Sequence, residues 1–263
     1  MSASIWNPAQ YERFKAEREQ PFHDLAALVR RDRPVRRAVD LGCGTGELTR
    51  RLHESLDCAE TTGVDLSETM LARAAAFARS GLRFERSSIQ AFASQAPQGA
   101  YDLVFSNAAL HWLDDHPALF AKLVRLLAPG GQLAVQMPAM HAFATHTLAA
   151  ALAREAPFAV ALHGYVGQTP VLEPEAYARL LYERGMREAS VRLQVYGHEL
   201  PDRAAVLEWV QGTTLTGYAE RLAPDLFERF LKTYAERLLA ALPDERPFFF
   251  PFKRILLAAR KPS

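Results

Sequence analysis

The stretch that decides the fold is AVDLGCGTGELT, residues 38–49, in which a short apolar run with an acid is followed by glycines at alternate positions. The apolar run predicts a buried strand, and ELTRRLHESL directly after the glycines predicts a helix. A chain that turns at once from strand to helix needs a tight bend. Glycine accepts positive φ at low cost and lets a ligand approach the backbone. The sequence therefore predicts a ligand-binding loop at Gly42, Gly44 and Gly46.

The spacing of these glycines separates two classes of ligand. Dinucleotide-binding folds use G-x-G-x-x-G, with a pyrophosphate at the helix N-terminus. Here the spacing is G-x-G-x-G, one residue shorter, and Asp40 and Glu47 flank the loop. Acids at both ends disfavour a phosphate and suit a cationic group. S-adenosylmethionine has an ammonium group, a sulfonium and no phosphate, so the pattern favours it over a nicotinamide dinucleotide.

A further acid, Asp65, ends the next predicted strand, nineteen residues after Gly46. An acid at this position can accept hydrogen bonds from both ribose hydroxyls, a feature that NAD-binding and S-adenosylmethionine-binding folds share. The alternative is a turn acid that precedes a helix capped by Ser67. Asp65 therefore supports a nucleoside cofactor without choosing between the two classes.

Strands and helices alternate through the first half of the chain. We predict a helix over about 8–31, and then the strands RRAVDL, TTGVDL, LRFERSS, YDLVFSNAAL and QLAVQMP. Further helices are predicted for SETMLARAAAFARS and for HPALFAKLVRLLA, the latter closed by PGG. Alternating elements with near-continuously apolar strands predict a parallel sheet that helices cover on both faces, with right-handed crossovers.

The second half of the chain has a different pattern. Residues of about 140–189 and 203–241 are helix-like, whereas SVRLQVYGHEL and FFFPFKRILLAAR predict two more strands. We therefore predict an α/β protein with a doubly wound, mostly parallel, seven-stranded Rossmann-like sheet and a helical cap insert. Such inserts commonly lie at the carboxyl edge of the sheet, where ligands bind. The predicted divisions are a core over 1–140, a cap over 141–189, and remaining strands with further cap helices over 190–263.

Composition excludes several classes of function. The 31 Lys and Arg nearly balance the 30 Asp and Glu, so the overall charge does not favour nucleic acid or an anionic membrane as a partner. The first thirty residues carry charges throughout, and we expect no secretory signal and no bilayer-spanning segment. Two cysteines form neither a disulfide framework nor a zinc site. We expect a cytoplasmic protein, either a monomer or a dimer.

Four segments in this order resemble the class I S-adenosylmethionine-dependent methyltransferases. They are VDLGCGTG (39–46), GVDLSETMLARA (63–74), YDLVFSNAALHW (101–112) and LLAPGGQLAVQMP (126–138). The resemblance implies a Rossmann-like methyltransferase fold and S-adenosylmethionine as the cofactor. The cofactor-binding residues that it and the loop imply are Tyr11, Asp40, Gly42, Gly44, Gly46, Asp65, Leu66, Met70, Ser88, Ile89, Asn107, Ala108 and Trp112.

A narrower resemblance runs nearly from end to end of the chain. IWNPAQYERFKAEREQPFHDLAALV (5–29), SNAALHWLDDHPALF (106–120), VLEWVQGTTL (206–215) and FPFKRILLAAR (250–260) are similar to trans-aconitate methyltransferases. This family implies methyl transfer to a carboxylate oxygen of a small polycarboxylic acid, which gives a monomethyl ester. The implied partner is a small-molecule acid.

Several positions depart from that family's pattern. Ser88 stands where the family has an Asp that binds the adenine amino group, and His111 replaces a Gln. Thr216 and Gly217 replace an Arg-Pro pair, and loss of an arginine weakens bidentate recognition of a carboxylate. Arg192 and Gln194 stand where a Trp and a Thr are usual. These changes leave the methyltransferase assignment intact and bear on the acceptor.

Four residues are candidates for the acceptor site: Arg18, His111, Tyr196 and His198. Arg18 faces a carboxylate of the acceptor or of the cofactor, or is a solvated helix residue. His111 orients the acceptor, acts as a base, or packs beside Trp112. Tyr196 and His198, two residues apart, share one face of the predicted sixth strand. Of Lys253 and Arg254, one must point to each face of the last strand.

Other functions remain open on the sequence alone. The acceptor could instead be the carboxylate of an acyl group bound to a carrier protein, or the hydroxyl or amine of a secondary metabolite. A different class is a protein that keeps the cofactor pocket without transferring methyl. HWLDDH resembles a metal cluster, but Asp115 before His116-Pro117 is better interpreted as a helix N-cap, and we predict no metal site.

Overall fold

Seven strands form one sheet in the part of the chain that the structure, a computed structural model, describes, which is residues 15–167 and 170–263. The strands are β1 Arg37–Leu41, β2 Glu60–Asp65, β3 Leu82–Arg86, β4 Tyr101–Asn107, β5 Leu127–Pro138, β6 Arg187–Leu200 and β7 Phe248–Arg260. Their order is β3-β2-β1-β4-β5-β7-β6. The pairs from β3 to β5 are parallel and β7 is antiparallel to β5. The predicted seven-stranded, mostly parallel sheet is confirmed.

The strand order reverses between β1 and β4, and this is where open α/β sheets bind ligands, outside the carboxyl ends of the strands. Three of the five residues of β1 are apolar and all residues after Arg37 are buried, as a strand covered on both faces requires. β4 is likewise buried over most of its length. The sequence pattern therefore places the carboxyl ends of β1 and β4 at the ligand-binding edge.

Helices alternate with the strands; the sequence predicted most of them and missed the short helix over residues 89–95. They are α1 Lys15–Ala26, α2 Glu47–Ser55, α3 Glu68–Ala74, α4 Ile89–Gln95, α5 His116–Leu126, α6 Ala144–Leu152, α7 Phe158–Ala161, α8 Pro174–Glu183, α9 Ala204–Gln211, α10 Thr216–Ala219 and α11 Pro224–Ala241. Two predicted N-caps are confirmed. The Ser67 hydroxyl accepts from the Met70 N–H at 3.3 Å, and the Asp115 carboxylate accepts from the Ala118 N–H at 3.1 Å.

The described chain divides into two compact units. The sheet unit comprises residues 18–138, 170–194 and 254–263, and the helical unit comprises mainly 139–167 and 195–253. The helical unit has its own apolar core, in which Trp209, Phe230, Tyr234 and Phe250 are buried. Among the described helices, none is both long and apolar enough to cross a membrane.

The N-terminal helix ends earlier than its sequence predicts. The expectation was a helix to residue 31, but α1 ends at Ala26. The Gln132 side chain accepts from the Arg30 N–H at 2.8 Å and donates to the Arg30 carbonyl at 3.0 Å. Both backbone groups of Arg30 are therefore bonded to a residue on β5 and cannot continue a helix.

Two strand boundaries also differ from the prediction. β3 ends at Arg86 rather than at Ser88, because the Ser88 hydroxyl accepts from the Ala91 N–H at 3.1 Å and caps α4. β5 begins at Leu127, before the PGG segment that was expected to separate helix from strand. Leu127 pairs with Tyr101, and the register shifts before Gln132 pairs with Leu103. A strand with this irregularity can contain the glycines.

Candidate active site

The loop after β1 has the left-handed backbone that its glycines predict. Gly42, Gly44 and Gly46 have φ of +81°, +54° and +76°. A Cβ on Gly42 would overlap the Cβ of Ala109, and one on Gly46 would lie 2.7 Å from the Phe84 ring. A Cβ on Gly44 would meet no atom within 4 Å. Two of the glycines are therefore required by packing, whereas Gly44 borders open space that a ligand can occupy.

Asp65 ties this loop to the helix that follows β2. One carboxylate oxygen accepts from the Gly44 N–H at 2.9 Å, and the other accepts from the Ser67 N–H at 2.8 Å. Each carboxylate oxygen can accept a second hydrogen bond, so Asp65 keeps acceptor capacity for a diol. Next to it, Leu66 exposes 64% of its surface and Met70 is partly buried.

Asp40 lies on β1, below the loop, and is buried. It accepts from the Thr49 hydroxyl at 2.6 Å. Burial raises the pKa of its carboxyl from the ordinary 3.8 to about 7; the charge of Asp65 adds to this rise and the Thr49 hydrogen bond opposes it. A cation bound near the loop would stabilise the ionised form of this carboxyl.

Ser88 and Ile89 stand at the start of α4 on the other side of the loop. The Ser88 oxygen caps the helix, so its hydroxyl hydrogen is the group left for another partner. Ile89 is buried, and its Cδ1 lies 3.8 Å from the point that a Cβ on Gly42 would occupy. These two residues therefore adjoin the glycine loop, as their predicted role near adenine requires.

The carboxyl end of β4 holds the next group of predicted residues. Asn107 ends the strand, and Ala108 follows in a left-handed conformation with φ of +53°. The Ala108 N–H donates to the Gln136 carbonyl at 2.9 Å. His111 and Trp112 stand in the next turn with ring centroids 4.7 Å apart, and Trp112 is 59% exposed. An indole this exposed is available as a wall for a ligand.

Strand register places the polar side chains of this edge on one face of the sheet. Asp40 pairs with Gly63 on β2 and with Phe105 on β4. Side chains of paired residues share a face, and alternate residues along a strand do so too. Asp40, Asp65 and Asn107 therefore lie on the same face, at or near the carboxyl ends of three adjacent strands.

Helix α1 packs on that same face. The Phe22 ring stands 5.6 Å from the Phe105 ring, edge to face. Glu19 accepts from Arg51 of α2 at 3.1 Å, which ties α1 to the helix that follows the glycine loop. Arg18 belongs to α1, but its side chain lies outside the described residues, and so does Tyr11.

The other predicted acceptor residues belong to the helical unit. Tyr196 and His198 are buried on one face of β6, as their spacing predicts. The imidazole of His198 stacks on Trp209 with ring centroids 5.1 Å apart. Thr216 donates its hydroxyl to the Thr213 carbonyl at 2.7 Å.

Gly217 makes a close approach in the helical unit. A Cβ at this position would overlap the hydroxyl of Tyr165. The Arg221 guanidinium lies 4.1 Å from the centroid of the Tyr165 ring and donates to the Gly217 carbonyl at 2.9 Å. The residues that replace the family's Arg-Pro pair therefore fit against a tyrosine and bring a different arginine to the segment.

Histidines of the helical unit include one that the sequence did not single out from its neighbours. His146 contacts the hydroxyl oxygens of Thr145 at 3.0 Å and Thr214 at 3.3 Å. Burial lowers the pKa of its imidazole to about 4, so it is neutral at pH 7. The signal that could have found it is its position in the first turn of α6, three residues before the buried Ala149.

The HWLDDH segment has a structural role. His116 is buried, and its ring bonds to the Tyr177 hydroxyl and to the Leu110 carbonyl, the latter at 3.1 Å. Within residues 15–167 and 170–263, no group of three or more side chains is arranged to hold a metal ion. His116 thus joins α5 to α8.

A family profile described as a methyltransferase domain matches residues 38–131, which include the glycine loop, Asp65 and the end of β4. The YcgJ protein of Bacillus subtilis has the same fold, with a TM-score of 0.62 and 15% sequence identity over 93% of this chain and 99% of that one. Fold and site together define an S-adenosylmethionine-dependent methyltransferase. The enzyme class and the cofactor predicted from the sequence are confirmed.

Full-length relatives narrow the assignment. The chain is 43% identical to a trans-aconitate 2-methyltransferase of Deinococcus radiodurans, over 98% of this chain and 99% of that protein. It is 38% identical to one from Methylobacterium radiotolerans, again over 98% and 99%. The protein belongs to the trans-aconitate 2-methyltransferase family.

Proposed function

We propose that the enzyme transfers the methyl group of S-adenosylmethionine to a carboxylate oxygen of a small polycarboxylic acid, such as trans-aconitate, and forms a monomethyl ester. The observation that carries the proposal is the identity of 43% and 38% to relatives of that name over nearly their whole length. Similarity restricted to the methyltransferase domain would support methyl transfer but would not indicate which acceptor is methylated. Here the similarity covers 98% of the chain, and the aligned part therefore includes the helical unit.

The sheet unit fits the cofactor. S-adenosylmethionine supplies a methyl group already activated on a sulfonium, so the protein's contribution is binding, orientation and exclusion of water. We assign the open space at Gly44 to the methionine portion, because a backbone without a Cβ lets it approach. The remaining acceptor capacity of Asp65 suits the ribose hydroxyls, and the carboxyl of Asp40 suits the ammonium group.

We assign the binding of the adenine and the surroundings of the methyl group to residues on either side of the loop. Ile89 offers an apolar surface beside Gly42, and the Ser88 hydroxyl offers a donor in place of the family's carboxylate. At the end of β4, Trp112 offers an exposed indole face. Asn107 and Ala108 stand at the end of β4, next to β1, which leads into the glycine loop.

A carboxylate acceptor is ionised at pH 7 and needs no general base. His111 beside Trp112 therefore orients the acceptor in this proposal and carries no proton in the reaction. Tyr196 and His198 stay candidates for acceptor contact on the strength of the family resemblance. Arg221 brings a guanidinium to the segment in which the family's arginine is replaced.

The acceptor is tested by a panel of di- and tricarboxylic acids with cofactor labelled in the methyl group. We expect labelled ester from at least one tricarboxylic acid, and none from the same acid presented as its trimethyl ester. Binding of S-adenosylmethionine is measured in parallel by calorimetry. Cofactor binding without ester from any free acid would overturn the proposed acceptor, and would direct the assay to carrier-bound acids, hydroxyls and amines.

A further inference from the structure

A buried arginine lies on the same sheet face as the cofactor residues. Arg254 of β7 pairs with Pro138, the last residue of β5, so it stands at the carboxyl edge of that strand. Gln136 pairs with Asn107 on β4 and with Leu256 on β7. Because paired and alternate residues share a face, Arg254, Gln136 and Asn107 lie on one face. Arg254 is 5% exposed, whereas Lys253 next to it is exposed.

Hydrogen bonds link these three side chains. The partners of the Gln136 amide fix its orientation. Its nitrogen donates to the Asn107 side-chain oxygen at 2.8 Å, and its oxygen accepts from a guanidinium nitrogen of Arg254 at 3.0 Å and from the Met137 N–H at 3.1 Å. Gln136 is itself completely buried.

All the hydrogen bonds of this chain run the same way, from Arg254 to Gln136 and from Gln136 to Asn107. Arg254 has only N–H donors, so it can donate to Gln136 and still offer donors to another group. Since the Asn107 oxygen is bonded to Gln136, the amide nitrogen of Asn107 is the group that it can present elsewhere. A polarised chain that ends in donors is suited to hold an anion.

Charge changes sign across this face. The acids Asp65 and Asp40 lie on β2 and β1, and Arg254 lies on β7. Between β1 and β7 stand β4 and β5, so the strands of Asp40 and Arg254 are three strand spacings apart, or about 14 Å, and the strand of Asp65 is one spacing further away. The ammonium and sulfonium groups of S-adenosylmethionine are positively charged and suit the half of the face that contains Asp40 and Asp65. An acceptor with negative groups suits the other half, and Asn107 stands between them.

We propose that Arg254 binds a carboxylate of the acceptor that is not methylated, with Gln136 holding the guanidinium in place. This inference rests on the proposed function, because it requires an acidic acceptor. A guanidinium in a low-dielectric site gains most from a carboxylate partner, and its planar fork holds that partner in one orientation. Arg254 is then a residue that selects acceptors with more than one carboxylate.

The first test compares Arg254→Gln with Lys253→Gln, a matched charge removal at the exposed neighbour. We expect Arg254→Gln to raise KM for a tricarboxylic acceptor about 30-fold, which corresponds to about 2 kcal/mol, with a smaller change in kcat. KM for S-adenosylmethionine should stay within about twofold of the wild-type value. Lys253→Gln should match wild type in both.

A second variant avoids the loss of a buried side chain. Gln136→Glu is nearly isosteric and places a carboxylate where Arg254 now bonds to an amide. In the variant a carboxylate–guanidinium bond replaces an amide–guanidinium bond, and the Asn107 amide has to turn its nitrogen toward the new carboxylate, so we expect thermal stability close to that of wild type. The variant should nevertheless bind the acceptor more weakly, since the carboxylate at position 136 competes with the acceptor's carboxylate for the guanidinium. An unchanged KM in folded Gln136→Glu would contradict the proposal.

Acceptors that differ by one carboxylate separate a binding role from a structural one. Wild type should prefer a tricarboxylic acid over the analogue that lacks one carboxylate, and Arg254→Gln should lose this preference. A merely structural role would lower kcat/KM equally for both acceptors, and that result would overturn the inference. If wild type esterifies no acid, the proposed function fails. If wild type esterifies the acids and Arg254→Gln keeps the preference for the tricarboxylic acid, only the assignment of Arg254 fails.

Discussion

Gly44 and Gly99 form a natural matched pair for the glycine loop. Both have a left-handed backbone, with φ of +54° and +67°, and a Cβ on either would meet no atom within 4 Å. Gly99 precedes β4, at the opposite end of the strand from Asn107. An alanine should therefore cause similar backbone strain at the two positions, but only Gly44 lies in the proposed cofactor-binding loop.

We predict that Gly44→Ala and Gly99→Ala lose similar stability, about 1 kcal/mol each, because an L residue with positive φ is strained. Only Gly44→Ala should lose S-adenosylmethionine binding, by at least about tenfold, since its methyl group occupies the space assigned to the cofactor. Denaturant titration gives the first quantity and calorimetry the second. Equal cofactor affinity in the two variants would contradict the assignment of the loop.

Asp40 predicts a pH dependence. Its pKa rises from 3.8 to about 7 on folding, so the native state holds this proton more tightly than the unfolded chain does. Its contribution to the free energy of unfolding therefore falls as pH rises from about 4 to about 7, by at most about 1.4 kcal/mol per pH unit. Asp40→Asn should remove this slope. Urea unfolding at pH 5 and pH 7.5 without cofactor measures it for both proteins.

Cofactor binding should release protons from the same carboxyl. Near pH 7 Asp40 is partly protonated, and a bound ammonium group favours its ionised form. Calorimetry in buffers of different ionisation enthalpy should report a release of about half a proton at pH 7 in wild type, and less in Asp40→Asn. Identical release in both would show that Asp40 does not sense the ligand's charge.

The residue-scale site could be predicted only in part. The roles of Gly42, Gly44 and Asp65 could be predicted because these residues are close in sequence. The two glycines have positive φ and Asp65 bonds to a backbone N–H of the loop. Ser88 looked like a strand residue, since nothing in RSSIQAF shows that its oxygen is bonded to the Ala91 N–H. Gly217 could be seen as a departure from the family. Its packing against Tyr165 could not be foreseen, because the two residues are far apart in sequence.

At the scale of elements, the cap of α5 distinguishes a structural acid from a ligand. Asp115 accepts from the Ala118 N–H and has φ of +51°, a conformation that Asp and Asn tolerate best after glycine. We predict that Asp115→Ala costs about 2 kcal/mol, one half from the cap and one half from backbone strain. Asp115→Asn should be nearly neutral, because Asn keeps both properties.

Asp114→Ala is the control for charge in this segment, because Asp114 is exposed and does not cap the helix. Thermal unfolding should place it within about 1 °C of wild type and Asp115→Ala about 4–8 °C lower. A loss of stability on chelator treatment of wild type, or an equal effect of the two Ala variants, would restore the metal interpretation of HWLDDH.

Element types were predictable, and several boundaries were not. Periodicity and apolar runs identify the strands because those signals are local. The end of α1 depends on Gln132, which bonds to both backbone groups of Arg30 from 102 residues away. The start of β5 at Leu127 depends on its pairing with Tyr101 across a register shift. Such long-range bonds override the local pattern.

For the whole molecule, cofactor binding should appear as stabilisation. A ligand at 100 times its Kd adds about 2.7 kcal/mol, which for a chain of 263 residues corresponds to a rise in Tm of about 5–10 °C. We predict this rise for S-adenosylmethionine and for its demethylated product. NAD should give none, because Asp40 and Asp65 oppose a pyrophosphate near the loop. Differential scanning fluorimetry with all three ligands decides between the two cofactor classes.

The architecture as a whole followed from the sequence, but the arrangement of charges across it did not. Alternating elements predict the sheet, and the motif order predicts its family. The link from Asn107 through Gln136 to Arg254 joins residues from β4, β5 and β7. Only strand order and register bring them to one face, and the alternation in KRILL showed no more than that Lys253 and Arg254 point to opposite faces.

The contact between Gly217 and Tyr165 also bears on how this segment tolerates substitution. A Cβ at 217 would overlap the tyrosine hydroxyl, which is the far end of a flexible side chain, so a larger residue there has to displace that ring. The Tyr165 ring lies against the Arg221 guanidinium, so its displacement would also disturb this cation. Directed evolution of the segment should therefore combine each substitution at Gly217 with a smaller side chain at Tyr165.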